Sequence, residues 1–214
     1  MVRRLFDLAV SGTALAVLCL PVAAVALLIV LSSPGPLLYR HQRIGRGGRP
    51  FWFYKFRTMR VGSTGSQVTA TGDDRVYPLG RWLRRWKIDE LPQFWNVFRG
   101  DMSLVGPRPE VARFVEQYSP EQRRILEHKP GLASLSQLVY PHEAELLEAA
   151  TDPESVYISQ LVPRKVAVDL QYEATRTMWS DLRLLAEVVL LVAGKRFRID
   201  RSVTVDVVNG AHQP

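Results

Sequence analysis

Cysteine is all but missing. Cys19 is the one thiol in 214 residues, so neither an internal disulfide nor a cysteine-rich metal site can form. The four histidines stand apart rather than at ligand spacing, which argues against structural zinc. Acidic side chains are scarce in one half only: residues 1–100 carry 15 Lys/Arg against 5 Asp/Glu, and residues 101–214 carry 13 against 16. No internal repeat is visible. Low-complexity disorder is excluded by an apolar content of 47%, enough for a packed core. The net charge of +7 calls for an anionic partner: nucleic acid, membrane surface or phosphorylated substrate.

Charge of either sign is also absent from Leu8 to Tyr39, and Leu8–Leu31 is almost wholly apolar. A run of this length exceeds the roughly 20 residues that cross a bilayer core as a helix. It is too long for the apolar region of a signal peptide, about 7–15 residues. The basic excess and the apolar run share one half of the chain, which favours a membrane partner and no nucleic acid. Pro21 lies near the middle of the run and cannot donate a backbone hydrogen bond, so it kinks or breaks the helix. Arg3 and Arg4 precede the run; Arg40, Arg43, Arg46 and Arg49 follow it. Positive charge on both flanks leaves two topologies open: a kinked spanning helix, or a helix–break–helix with both ends on the cytoplasmic face. The expected organisation is a membrane element over 1–36, a cytoplasmic-face catalytic domain over 37–200 and a tail over 201–214.

After the turn formers Ser32-Ser33-Pro34-Gly35-Pro36, two extended segments, Leu37–Ile44 and Phe51–Thr58, flank Gly45-Arg46-Gly47-Gly48 and predict a hairpin. Residues 40–60 hold seven Lys/Arg and no acid, interleaved with Phe51, Trp52, Phe53 and Tyr54, a composition suited to a membrane interface. A dimer surface fits those aromatics equally. Gly62–Asp74 reads as a mobile loop. Leu79–Trp86 reads as a short helix on which Trp82 and Trp86, one turn apart, suit a core, although Arg81, Arg84 and Arg85 around them favour the interface.

Asp89 is placed to cap a helix running to about Arg99, with Pro92 in its first turn and Gly100 past its end. That structural role leaves Glu90, Arg84, Arg85, Lys87 and Arg108 unexplained. Two carboxylates beside several cations suit a site that handles phosphate and divalent metal together. Gly106-Pro107-Arg108-Pro109 presents one arginine from a stiff platform. The remainder reads as helical, with caps at Ser119, Asp152 and Ser180, a turn at Lys129-Pro130-Gly131, and an apolar stripe of Leu182, Leu185, Ala186, Val189 and Leu190.

Together these stretches resemble the bacterial sugar transferase family, the monotopic polyprenol-phosphate phosphoglycosyl transferases in their minimal form. The resemblance rests on Arg4-Leu5-Phe6-Asp7, Tyr54-Lys55-Phe56-Arg57-Thr58-Met59, Ile88-Asp89-Glu90-Leu91-Pro92-Gln93, the block Asn96–Pro109, Lys129-Pro130-Gly131 and Asp169-x-x-Tyr172. It spans roughly residues 3–198 in order, and the block from Asp89 to Pro109 is highly specific. It implies a small, mostly helical α/β membrane-associated domain on a re-entrant helix–break–helix, with a short β-hairpin, amphipathic interfacial helices and no Rossmann sheet. The implied reaction moves a sugar-1-phosphate from a UDP-sugar to a polyprenol phosphate such as undecaprenyl phosphate, releasing UMP at the bacterial inner membrane. By the same resemblance Asp89 is the nucleophile and Glu90 holds Mg²⁺. Lys55, Arg57, Arg84, Lys87, Pro107, Arg108, Pro109, Gln137 and Asp169 are the implied substrate-binding residues, with Asp169 supporting metal or nucleotide. Three departures stand out: Leu20-Pro21 at the break where Ser-Pro is frequent, Lys87 where Ser or Thr is common, and Leu132–Leu138, where only Gln137 matches among the polar positions.

Overall fold

The computed structural model describes residues 1–63, 72–141, 143, 147 and 150–194. The tail expected over 201–214 and the centre of the loop expected over Gly62–Asp74 lie outside these residues. The chain begins with two helices, α1 (Val2–Val17) and α2 (Cys19–Ser32), bent by 59° at Leu18. Pro21 explains where the bend falls. It offers no N–H to the carbonyl four residues earlier, that of Val17, and its ring crowds that carbonyl, so the ladder breaks one turn before the proline. Among the described residues no single helix is long and apolar enough to cross a membrane, whereas the bent pair together passes that test.

The predicted hairpin is present. β1 (Leu38–Ile44) pairs antiparallel with β2 (Pro50–Phe56), with Leu38 opposite Phe56 and Ile44 opposite Pro50. Gly47 and Gly48, both at positive φ, make its turn. α3 (Pro78–Arg85) follows, then a 3₁₀ turn over Ile88–Glu90 and α4 (Gln93–Arg99), which ends on left-handed Gly100. Trp82 and Trp86 on and after α3 are exposed rather than core, as are Trp52, Trp95 and Tyr39.

β3 (Ser103–Val105) pairs in parallel with β4 (Gly131–Ala133), so Lys129-Pro130-Gly131 enters a strand rather than making a simple turn. The approach is close enough to demand glycine on both sides. A Cβ on Gly131 would stand 2.1 Å from the Gly106 nitrogen, and one on Gly106 would stand 2.4 Å from the Lys129 carbonyl. Between the two strands lie the helical turns α5 (Ala112–Val115) and α6 (Pro120–Arg123), the latter capped by Ser119 as expected. Beyond them come α7 (Leu135–Val139), α8 (Pro153–Val156, capped by Asp152), a π turn over Tyr157–Leu161, α9 (Val162–Thr175) and α10 (Met178–Val192). Thr177, not Ser180, caps α10; Ser180 is the reciprocal partner in that capping box. The inward face of α10 is Leu184, Leu185 and Val188, so of the expected stripe only Leu185 packs into the core while Leu182 and Val189 stay largely exposed. A helix apolar nearly all round gives periodicity little to fix its phase.

The whole is mostly helical with two small sheets. α1 is joined to the body by polar as well as apolar contacts. Its buried Asp7 accepts from the Leu104 N–H (3.0 Å) and the Ser103 hydroxyl (2.9 Å). Arg4 donates to the carbonyls of Val97 (2.6 Å) and Phe98 (2.7 Å) at the end of α4. Phe6 and Val10 pack on a cluster of Phe53, Val97, Met102 and Leu104. Arg3 pairs with Asp181 at 3.1 Å. Arg3 and Arg4 are therefore clamps as well as flanking charges.

Arg57 is the clearest correction. Its buried guanidinium donates to the Ser33 hydroxyl and to the carbonyls of Ser33, Pro34 and Pro36, where α2 ends. Four of its five N–H donors are spent on stopping α2 and turning the chain into β1. Substituting Arg57→Ala should lower stability by about 3 kcal/mol, since it strands several buried acceptors, and thermal unfolding in detergent would show it. An unchanged midpoint with weakened phosphate binding would return Arg57 to the site.

Candidate active site

Asp89 and Glu90 share the 3₁₀ turn between α3 and α4. Asp89 does not cap α4, because Pro92 occupies the N-cap position. Its carboxyl is only 5% exposed, and Oδ1 is buried with no hydrogen-bond partner among the described residues. Buried carboxylate oxygens rarely stay unpartnered unless they serve a reaction or an ion. Burial and the adjacent Glu90 charge push the Asp89 carboxyl above the usual range, against the pull of Lys55, Lys87 and Arg84. Glu90 goes the other way. Burial would raise it, but Arg108 and Lys87 outweigh that and hold it ionised. Two adjacent carboxyls thus differ in proton affinity, an arrangement that suits separate roles.

Each surrounding cation comes from a different element. Lys55, on β2, lies over the Tyr39 ring at 5.5 Å, and burial lowers its ammonium to a pKa of about 8, although Asp89 opposes the fall. Arg84, from α3, donates Nε to the Thr58 hydroxyl at 2.7 Å, and its charge acts on Asp89. Lys87 has left-handed backbone, φ 54°, alone among the described non-glycine residues. Such a conformation costs roughly 1–3 kcal/mol and recurs where function requires it. Arg108 bonds Glu90 Oε1 at 3.0 Å.

The Arg108 platform is stiff for visible reasons. The Pro107 carbonyl accepts the Gly131 N–H at 2.9 Å, and the Pro109 carbonyl accepts Arg43 at 3.3 Å. Asp169 does not reach the carboxylate pair. Its buried carboxyl accepts the Ser136 N–H (2.9 Å), the Ser136 hydroxyl (2.8 Å) and the backbone N–H of Arg108. These bonds make Asp169 a brace for the platform. Gln137 spends its carbonyl oxygen on the Ser134 N–H at 3.0 Å and lines a neighbouring cavity.

That cavity, of about 490 Å³, opens beside Lys87, Glu90 and Arg108. Two further charges border it that the sequence reading missed. Buried Lys165 donates to Glu143 (2.8 Å) and to the Tyr157 hydroxyl (3.2 Å), which itself donates to Glu110 (2.5 Å). A signal for Lys165 existed: it stands four residues before Asp169, on the same face of α9.

Among the described residues no cluster of three or more His, Cys, Asp or Glu forms. The unpartnered oxygen of Asp89 beside Glu90 nevertheless fits magnesium, which takes one or two carboxylates and fills its other positions with substrate phosphate and water. An acid pair ringed by cations is built to receive a phosphoryl group.

The sequence profile of bacterial sugar transferases matches residues 1–195. The chain belongs to the bacterial sugar transferase family. Similar sugar transferases include the UDP-glucose:undecaprenyl-phosphate glucose-1-phosphate transferase of Caulobacter vibrioides, 39% identical over 192 residues, which are 87% of this chain and 68% of that protein. The UDP-N-acetylgalactosamine-undecaprenyl-phosphate N-acetylgalactosaminephosphotransferase of Aeromonas hydrophila is 35% identical over 195 residues, 88% of this chain and 43% of that one. Galactosyl transferase CpsE of Streptococcus agalactiae is 34% identical over 211 residues, 91% and 43% of the two chains. This sugar transferase thus spans about two thirds of the first relative and less than half of the other two.

The Lys55 ammonium sets a pH limit on anion binding at this site. Inorganic pyrophosphate, titrated calorimetrically, should bind less tightly as pH rises through about 8 and Lys55 loses its proton. Lys55→Arg should move that loss to higher pH; an unmoved profile would take Lys55 out of the anion site.

Proposed function

We propose that this sugar transferase moves a sugar-1-phosphate from a UDP-sugar to a polyprenol phosphate, undecaprenyl phosphate in bacteria, and so starts assembly of an exopolysaccharide, O-antigen or related glycan. The observation that carries the reading is the Asp89 carboxylate, buried, with one oxygen unpartnered and Lys55, Arg84, Lys87 and Arg108 around it. The relatives' substrates agree with it.

In the first step an Asp89 oxygen attacks the sugar-bearing phosphorus. The bond from that phosphorus to the bridging oxygen breaks and UMP departs with it, leaving an aspartyl-phosphosugar. In the second step an oxygen of the polyprenol phosphate attacks the same phosphorus, and the Asp89 carboxylate leaves. A carboxylate is a weak nucleophile, so the phosphorus must be made electrophilic. Arg108 and Lys87 neutralise phosphate oxygens, and Arg84 and Lys55 steady the charge that builds on the phosphate of the leaving UMP. Glu90, steered by Arg108, would hold Mg²⁺ with Asp89; bound there, the ion supplies Lewis-acid polarisation of the diphosphate. The raised proton affinity of Asp89 keeps it reactive once ionised, whereas Glu90 stays charged and available to a cation.

The setting we propose is the bacterial inner membrane, with the catalytic domain on the cytoplasmic face and α1–α2 re-entrant. Its support is the 59° bend, the arginines at both ends and the exposed aromatics Trp52, Trp82, Trp86 and Trp95. The second reading, a membrane-anchored basic binding protein or scaffold without catalysis, accounts for the charge but leaves the orphaned Asp89 oxygen without a role.

Nucleotide release decides between them. Protein in nanodiscs, given undecaprenyl phosphate, Mg²⁺ and a panel of UDP-sugars, should release UMP with one sugar, and Asp89→Asn should slow this by about 10³-fold or more. UDP in place of UMP would overturn the Asp89 mechanism, and no turnover with intact lipid binding would support the scaffold. EDTA should stop turnover and Mg²⁺ restore it; full activity in EDTA removes the metal. In a Cys19→Ser background, cysteines at positions 2 and 41 should both label with an impermeant maleimide only from the cytoplasmic side. Labelling of position 2 from outside would mean a spanning helix.

A further inference from the structure

The cavity beside the acid pair has a lining of two kinds. One part, its mouth, is made of the charged residues Lys87, Glu90, Arg108, Glu143 and Lys165, and the other, its body, is mostly hydrocarbon. Val10 of α1 lines the body from the apolar helix pair, and Leu185, Val188, Val189 and Val192 line it from α10. Leu132 and Ala133 of β4 and Phe94 of α4 close it on the other sides. Apart from Gln137 and the Tyr140 hydroxyl, the body offers no polar side chain.

A nucleotide sugar does not suit such a space. Its sugar, ribose and base carry donors and acceptors that would be buried without partners, at a cost that exceeds any packing gain. The complementary ligand is anionic at one end and continuously apolar at the other. The volume, about 490 Å³, lies in the range of ligand sites, roughly 300–1,000 Å³, and takes part of a long chain rather than all of it. α1 gives the rest of that chain a way out, because the helix that lines the cavity with Val10 also runs on into the apolar bend and α2.

We infer that the cavity is the seat of the acceptor's head-proximal isoprene units, with the polyprenol phosphate group at the Arg108–Lys87 mouth and α10 as the chain's inner wall. This rests on the phosphoglycosyl transfer reading and deepens it. Donor and acceptor then approach the Asp89 phosphorus from different surroundings, the donor from the Lys55–Arg84 side and the acceptor from the apolar side. Lys165 and Glu143 become residues of the acceptor mouth, a place that neither the motifs nor the relatives' names assign to them.

The test uses a polyprenyl phosphate carrying a diazirine in its second isoprene unit, added to the full chain in nanodiscs without donor. Photolabel should map to residues 185–192 or to Val10, and unlabelled undecaprenyl phosphate should compete it away. Val188→Trp, which fills the body, should reduce labelling and acceptor-dependent turnover at least about tenfold, while a burst of one UMP per chain from the UDP-sugar alone reports an intact Asp89 step. Label elsewhere in the wild-type chain overturns the proposal. Equal competition by phosphatidic acid overturns it too, since the occupant would then be an ordinary bilayer lipid. Loss of the burst in Val188→Trp, with folding intact by thermal midpoint, would assign the cavity to the donor. Should the wild-type chain release no UMP from any UDP-sugar yet label on α10, phosphoglycosyl transfer fails and the lipid seat stands.

Discussion

One buried carboxylate holds the two halves of this molecule together. Asp7 is the one acid of α1 and is buried, where an unpaired charge would be prohibitive, and it is made tolerable by the Leu104 N–H and the Ser103 hydroxyl. Arg4, one turn earlier, covers the last carbonyls of α4, where the helix dipole favours a cation. These contacts tie the apolar element to β3 and α4, and α4 follows directly on the turn that carries Asp89 and Glu90. The position of the acid pair relative to the apolar helices is therefore held by hydrogen bonds as well as by apolar packing.

The same logic continues into the site. Gly106 and Gly131 let β3 and β4 approach backbone to backbone, and that approach leaves the Arg108 platform no freedom to retreat. Asp169 fastens it from behind through Ser136 and the Arg108 N–H. Arg108 in turn fixes Glu90, so the turn that carries Asp89 has one arrangement. Proton affinities then follow from position: the carboxyl with the arginine stays charged, and its deeper neighbour resists charging.

Local signals in the chain were legible. The hairpin, its glycine turn, the caps at Ser119 and Asp152, and the Asp89-Glu90 pair with its cations were all readable, because each depends on residues close in sequence. What escaped depends on contacts over long separations. The pairing of β3 with β4 joins two three-residue strands too short to show alternation. Arg57 looks like any interfacial cation until the end of α2 is seen wrapped around it. Asp169 and Lys165 share a helix face, yet one buttresses a loop and the other enters a cavity, a difference set by what packs against α9. Trp82 and Trp86 suited a core by spacing, and only the surrounding fold shows that both are exposed among the described residues. Family likeness carried the functional reading further than the residues alone did.

The cationic mouth is not waiting bare. Glu143 already lies beside Lys165 at 2.8 Å and within the fields of Arg108 and Lys87. An anion bound there would have to compete for Lys165 with an acid that the protein carries itself. That competition weakens capture by charge alone. It also favours ligands that bring more than charge, because a bare anion gains little by displacing Glu143.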